Sequence, residues 1–486
     1  MHLDIAASGH GPGQFDQTFR PPAAPSPLPE KNPARHAHQT KPPITRINQN
    51  VKAVPHLDAG PARERRIIAL KETAFSFPAR VFINYPIMPR ARLALYALLT
   101  SLTAISIDAM LPGLRLIAAD LKPSPPMTTT HVISLFILGM SLGEFSFGPL
   151  ADAIGRRRAL LTGLGCFIAG VLIALSAQSL GVLVLGRMLQ GFGVAGPKIA
   201  IRALIRDEVE GDDMARILSF IFSLLILVPM IAPSLGQAVM GLAGWRSLFV
   251  LYLVAALLLG FWFMRRQPET LPPERRIPLR PRLLFRNSVR ILANRRIALL
   301  IVATGLVYGA QLVYISIAAE FFADIYGIRE SFPAYFAGLA SGIGLASFIN
   351  ARFVRRFGME RMTRLAVMGF SLAGVALLAV SLFWHGHPPL PLFLVPAFAA
   401  FFAIGVLYGN FNALAMRSLG HVAGIGASLF SSLSSFIASL LAVVLAAGYD
   451  GTISVLALSF FVCGLLALGL VELALRETLV PVEAVR

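Results

Sequence analysis

Gly148-Pro-Leu-Ala-Asp-Ala-Ile-Gly-Arg-Arg-Arg158 is the stretch on which the reading of this chain turns. It is a short polar turn with one acid, Asp152, a glycine, Gly155, and three consecutive arginines, Arg156 to Arg158. Apolar runs over 128–151 and 158–178 press on it from both sides. A helix needs about 20 apolar residues to cross the hydrocarbon core of a bilayer. Two such runs joined by a tight, arginine-rich turn read as a transmembrane helical hairpin, with the arginines holding the turn on the cytoplasmic side.

The same alternation continues outward in both directions. Further runs cover 92–114, 181–204, 215–240, 244–264, 297–322, 332–352, 363–384, 390–415, 421–446 and 453–475, giving twelve in all. Gly448-Tyr-Asp-Gly451 marks the turn between the last two. Of the 486 residues 56% are hydrophobic and 14% charged, against about 25% charged in an ordinary soluble domain. The mean hydropathy is +0.70. The expected fold is an all-α membrane protein, and its first partner is the lipid bilayer.

Charge placement orients the chain. Arg90 and Arg92 precede the first run, and Arg156 to Arg158 follow the second. Arg202, Arg206 and Arg216 flank the gap after the fourth. Ten arginines lie from Arg265 to Arg296, Arg352 to Arg364 follow the eighth run, Arg417 the tenth and Arg476 the twelfth. The alternate loops hold little beyond Lys122, Arg246 and Arg329. By the positive-inside rule both termini are expected in the cytoplasm of a bacterium, with the chain crossing its inner membrane many times. The formal charge of +18 would suggest nucleic acid in a soluble protein. Here it is spent in loop clusters, so nucleic acid is not an expected partner.

The long loop after the sixth run divides the chain into an N-terminal six-helix bundle, 89–266, and a C-terminal one, 297–476, with a short cytoplasmic tail, 477–486. Pro268, Pro272, Pro273, Pro278 and Pro281 suggest that the basic linker between them, 267–296, is extended. Residues 1–88 are rich in proline and polar groups and read as a disordered cytoplasmic extension. Alternatively translation starts later, at Met88-Pro-Arg-Ala-Arg92, which looks like an ordinary basic N-terminus. No secretory signal pattern is present in this stretch. The turn Phe353-Val-Arg-Arg-Phe-Gly-Met-Glu-Arg361 repeats the opening motif, with Gly358 aligned on Gly155. A duplicated six-helix unit of this kind places a substrate site near the midplane, between the repeats.

Cys166 and Cys463 lie inside apolar runs and read as packed thiols, and the histidines are scattered, so no metal site is expected. No phosphate-binding GxxxxGK[ST] loop and no nucleophile–base set is seen, so an enzyme or ATP-driven pump is not expected.

The motifs resemble the major facilitator superfamily and, within it, proton-coupled drug antiporters of the Bcr/CflA type, over about residues 90–476. Gly148 to Arg158 resembles the loop signature G-x-L-x-D-R-x-G-R-R, with Ala153 in place of its first basic residue. Arg187-Met-Leu-Gln-Gly-Phe-Gly-Val-Ala195 resembles the fourth-helix motif through Gln190, Gly191 and Gly193. Val228-Pro-Met-Ile-Ala-Pro-Ser-Leu-Gly236 matches the fifth-helix antiporter motif in part, through Pro229, Pro233 and Gly236, with Ala232 and Gln237 where the family has glycines. Ile105-Ser-Ile-Asp-Ala-Met-Leu-Pro112 is similar to the first-helix acid segment, and Gly409-Asn-Phe-Asn-Ala-Leu-Ala-Met416 to the tenth helix, of the same exporters. The resemblance implies two pseudo-symmetric bundles and proton-coupled efflux of drugs or small amphiphiles, driven by the proton gradient without a cofactor. A carrier of one metabolite and a non-transporting sensor are the alternatives. This architecture needs no second subunit, so a monomer is expected.

Ionisable groups inside a bilayer are costly and mark function. Asp108 is expected either to carry a proton or to cap the end of a helix broken before Pro112. Arg187 is its expected partner, unless it is fixed by a salt bridge or by carbonyls. Glu144 reads as a second protonation site, a contact for a cationic substrate, or an acid near the interface. Lys198 is expected to snorkel toward the cytoplasm, and Glu320 to face the periplasmic mouth. Asp152 with Arg156, Arg157 and Arg158 is expected to latch the two halves together. The serines of the eleventh run, including Ser428 and Ser431, are expected to serve tight packing. Tyr308, Gln311, Tyr314, Asn410 and Asn412 are the candidate cavity residues.

Overall fold

The structure, a computed structural model, describes residues 88–123, 127–279, 281–417 and 423–477. The expectations about residues 1–87 and the final nine residues fall outside these. Among the described residues twelve helical stretches are long and apolar enough to cross a membrane. The first is composite: α1 (Arg90–Asp108), a 3-10 turn (Leu111–Gly113) and α2 (Leu114–Leu121) follow one another. Pro112 has no N–H to give the Asp108 carbonyl, which interrupts the helix there. Then come α3 (His131–Ile154), α4 (Arg156–Leu175), α5 (Leu180–Glu208), α6 (Gly211–Ala243) and α7 (Arg246–Arg266). The second half comprises α9 (Arg295–Tyr326), α10 (Phe332–Phe357), α11 (Met359–Phe383), α12 (Leu390–Met416), α13 (Ala423–Ala446) and α14 (Ser454–Arg476).

The linker departs from expectation. After a 3-10 turn at Pro273–Arg275 it forms α8 (Pro281–Ala293) instead of remaining extended. Pro281 sits at the start of that helix, where a missing N–H costs nothing and the fixed φ favours helix.

The two halves repeat one packing plan. In the first, α1 packs on α6, α3 on α5, α4 on α5 and on α7; in the second, α9 packs on α13, α10 on α12, α11 on α12 and on α14. Between halves, α3 meets α13 and α6 meets α10. These two contacts are the same contact with the halves exchanged. Gly155 and Gly358 also correspond: each is the residue before the third helix of its half, with φ of 101° and 80°. Side chains disfavour that conformation, which explains glycine at both places.

Small residues set the close approaches. A methyl group at Gly191 would lie 1.9 Å from the Phe136 carbonyl oxygen, and one at Gly139 would lie 2.0 Å from that of Met188. The pair lets α3 and α5 touch backbone to backbone, a packing mode suited to lipid, where helices gain no hydrophobic drive from each other. Gly193 serves α4 in the same way, against the Phe167 amide. Cys463 is buried, Cys166 partly so, and both are free thiols.

Candidate functional site

Arg187 projects from α5 into the N-terminal half and is 0% exposed. Its Nε donates to the Val132 carbonyl at 3.2 Å, its Nη1 to Gln190 Oε1 at 2.8 Å and its Nη2 to the Ser106 carbonyl at 2.9 Å. The guanidinium also lies over the Phe136 ring, 4.2 Å from its centroid. The expected pairing with Asp108 is therefore absent. The planar fork is instead filled by carbonyl oxygens, a geometry that arginine matches and a point charge would not. The Ser106 carbonyl belongs to the last turn of α1, whose exposed carbonyls carry the negative end of the helix dipole. Tyr252 on α7 braces the same turn, donating to the Ile105 carbonyl at 3.2 Å.

Asp108 ends α1 and is 5% exposed. Among the described residues it makes no hydrogen bond or ion pair, and it caps neither α1 nor the 3-10 turn that follows. Capping was one of its two expected roles, and the geometry removes it. Gly236 of α6 crosses directly beside it: a methyl group there would lie 1.9 Å from the Ala109 carbonyl oxygen. The fifth-helix motif thus contributes a close approach to the broken helix. Pro229 and Pro233 lie inside α6, one turn apart.

Glu144 is 0% exposed and joins the two halves. One carboxylate oxygen pairs with Lys198 of α5. The other accepts from Ser431 of α13 at 2.7 Å, and the Glu144 carbonyl accepts from Ser428 at 3.0 Å. Lys198 therefore points to a buried carboxylate instead of snorkelling outward. Two serines expected only to pack make polar bonds across the interface. Next to them Gly148 gives α13 room, since a methyl group there would lie 3.1 Å from Ser428 Oγ.

On the arginine-rich face Arg156 is buried and pairs with Asp152 and, at 3.1 Å, with Asp207. Glu269, just past α7, accepts from the amides of Arg156 at 2.8 Å and Arg157 at 3.2 Å. It thereby caps α4, whose first amides have no partner within the helix. Arg157 donates to the Met264 carbonyl at 3.0 Å, while Arg158 is exposed. Among the described residues the cross-half pairing expected of these arginines is not seen: the partners of Arg156 and Arg157 lie within the first half and the start of the linker. On the second half the matching end is held by Arg296, which is buried and pairs with Glu360 at 2.8 Å.

The opposite face is fastened between halves. Arg115 of α2 pairs with Asp324 of α9. Thr129 donates to Glu320 Oε1 at 2.6 Å, and Gln237 of α6 to the Glu330 carbonyl at 3.2 Å. Glu320 thus bonds the other half.

The expected cavity residues separate into groups. Tyr308 and Tyr408 meet edge to face, 5.9 Å between centroids, and Tyr408 donates to Gln311. Tyr308 lies within electrostatic reach of both Asp108 and Glu144. Tyr314 is elsewhere, packed on Phe321, Phe336 and Phe401 inside the second half. Asn410 exchanges amide bonds of 3.0 and 3.1 Å with Asn350 of α10, and Asn412 is exposed.

Residues 96–443 match the Major Facilitator Superfamily. The chain belongs to that superfamily. It is 29% identical over 342 residues to a bicyclomycin resistance protein homolog of Haemophilus influenzae, covering 69% of this chain and 83% of that one. It is 28% identical over 294 residues to the multidrug resistance protein MdtL of Salmonella schwarzengrund, covering 60% and 73%. Its fold is similar to that of a D-xylose-proton symporter, with a TM-score of 0.63 at 12% identity over 81% of this chain and 98% of the other.

Within this major facilitator the sequence reading missed Glu269, Asp207, Asp324 and Arg115. Each lies at or just past a helix end, with no motif that names its partner. Only the close approach of distant helices reveals its partner.

Proposed function

We propose that this transporter exports drugs or small amphiphilic molecules by alternating access, in exchange for protons moving down their gradient and without a cofactor. The observation that carries the reading is Asp108: a carboxylate 5% exposed, bonded to nothing described, at the interruption of α1 and beside Gly236 of α6. Acids inside a membrane span are costly and mark functional sites, and in this proposal Asp108 carries the coupling proton. It releases that proton when a change of conformation brings water or a cation to it, which is the property a coupling residue needs. The names of the Haemophilus and Salmonella relatives supply the drug-resistance part of the reading.

In this reading the arginine-rich face is cytoplasmic, with both termini inside, and the protein works as a monomer in a bacterial inner membrane. The bundles 89–266 and 297–476 rock about the α3–α13 and α6–α10 contacts. The Arg115–Asp324, Thr129–Glu320 and Gln237–Glu330 bonds close the periplasmic side. Arg187 stays charged and fixes the end of α1, so that Asp108 alone changes its protonation. A second reading, carriage of one metabolite, draws on Gln237: it stands where drug antiporters have glycine and bonds across the halves.

Inverted membrane vesicles acidified inside test the proposal. Addition of a transported drug should discharge the pH gradient. Alkalinisation outside coupled to uptake of a single metabolite, with no response to drugs, would instead support the second reading.

A further inference from the structure

The linker helix α8 has three stripes of side chains, and one of them is covered by protein. Asn287 and Ile291, four residues apart, are buried, and α8 packs on α9 and α13. Phe285, Val289 and Leu292 recur at helical spacing and form a second stripe, 71%, 48% and 38% exposed. Arg282, Arg286 and Arg290 form the third, beside the apolar one, and all three are exposed. With about 3.6 residues per turn, the apolar stripe lies on the far side of the helix from the buried one.

The arginine stripe carries charge without a counter-charge. From Arg275 to Ala319 the sequence contains no acid. The next two arginines show the contrast: Arg295 pairs with Glu477 at 3.1 Å and Arg296 with Glu360 at 2.8 Å. Among the described residues no ion pair or hydrogen bond engages the Arg282, Arg286 or Arg290 side chain.

The place of α8 in the chain decides what can lie against it. Asn294 alone separates its last residue, Ala293, from Arg295, where a membrane span begins. The linker leaves the preceding span at Arg266. That end of α7 carries Trp262, Arg265 and Arg266 around an open groove, the residue types that mark the headgroup level of a bilayer. Midway along, the Ile277 amide donates to the Asp152 carbonyl at 3.1 Å and ties the linker to the end of α3. The linker is therefore held at the arginine-rich face, at the level where the spans end. An exposed stripe of phenylalanine, valine and leucine finds apolar surroundings there, in the acyl boundary of the leaflet. Arginines running along its side meet the headgroup phosphates.

We propose that α8 is a membrane-surface anchor that binds anionic phospholipid of the cytoplasmic leaflet, with phosphates on its arginine stripe and its apolar stripe among the acyl chains. A protein occupant from this chain would bring like charge: residues 1–87 include Arg63, Arg65 and Arg66, and a second copy would bring the same arginine stripe. The inference rests on the cytoplasmic orientation of the arginine-rich face proposed above, and not on the coupling proton or the substrate.

Hydrogen exchange of the full chain in nanodiscs, one chain per disc, tests the anchor with no gradient and no substrate, so its failure is distinct from a failure of export. Discs of phosphatidylcholine are compared with discs enriched in phosphatidylglycerol. The amides of α8 should exchange about tenfold more slowly in the anionic discs, while those of α3 and α5 exchange alike in both. Arg282→Gln/Arg286→Gln/Arg290→Gln should lose the difference. Arg282→Lys/Arg286→Lys/Arg290→Lys should keep it, because the attraction is one of charge. Fast exchange of α8 in both discs, or a difference that persists in the glutamine variant, would overturn the proposal. Slow exchange that is equal in both discs, or that appears only when two chains share a disc, would give the face to protein, either residues 1–87 or a second copy, and would overturn it as well.

Discussion

Arg187 and Asp108 are both buried in the first half and do not pair with each other. Arg187 has three oxygen acceptors and an aromatic face and, among the described residues, no carboxylate partner. Its replacement by Gln should cost roughly 1–3 kcal/mol, in line with hydrogen bonds to charged groups. Lysine should not restore that loss, since it cannot span three separated acceptors. Thermal unfolding in detergent checks both. That both residues matter was legible, because a charge inside an apolar run is conspicuous. Their partners were not, because carbonyl oxygens leave no mark in a sequence. The same limit hid the Glu144–Lys198 pair: only the rotation of α3 and α5 about their axes brings the two groups together.

At the scale of elements, glycines and caps decide how closely the helices sit. Gly191→Ala would force α3 and α5 apart, because its new methyl group would start 1.9 Å from the Phe136 carbonyl. Overpacking of this kind costs typically ~1–3 kcal/mol, and a lowered unfolding temperature in detergent should report it. Glu269→Ala should uncap α4 and expose the amides of Arg156 and Arg157 to faster hydrogen exchange, at a cost of about 1 kcal/mol. Unchanged exchange at those two amides would contradict the cap. The positions of the helices were readable from apolar length and arginine punctuation, and the paired Gly155 and Gly358 from their matching turns. Two details were not. The first span resumes after its break before Pro112 and runs on to Leu121, because local apolar character does not show where a broken helix restarts. The proline-rich linker contains α8, because a proline at a helix start permits what a proline inside would break.

At the scale of the whole molecule, the bonds between halves are concentrated on one face and near the interface centre. Arg115–Asp324 joins α2 to α9 on the face opposite the arginines. If alternating access requires that pair to part, a cleavable bifunctional thiol cross-link between Arg115→Cys and Asp324→Cys should stop transport, and its cleavage should restore it. Full activity of the cross-linked protein would show that this face need not open. The twofold plan of the molecule was legible from one repeated turn and an even helix count. Which face is fastened was not, because it depends on the state the halves adopt.

The measurement that bears most directly on proton-coupled export is a pair of assays on Asp108→Asn in proteoliposomes. The variant should still exchange labelled for unlabelled substrate across the membrane, because the two halves still rock around a filled site. It should lose accumulation driven by an imposed pH gradient. Gradient-driven accumulation equal to that of the unmodified protein would contradict the account and move the coupling proton away from Asp108.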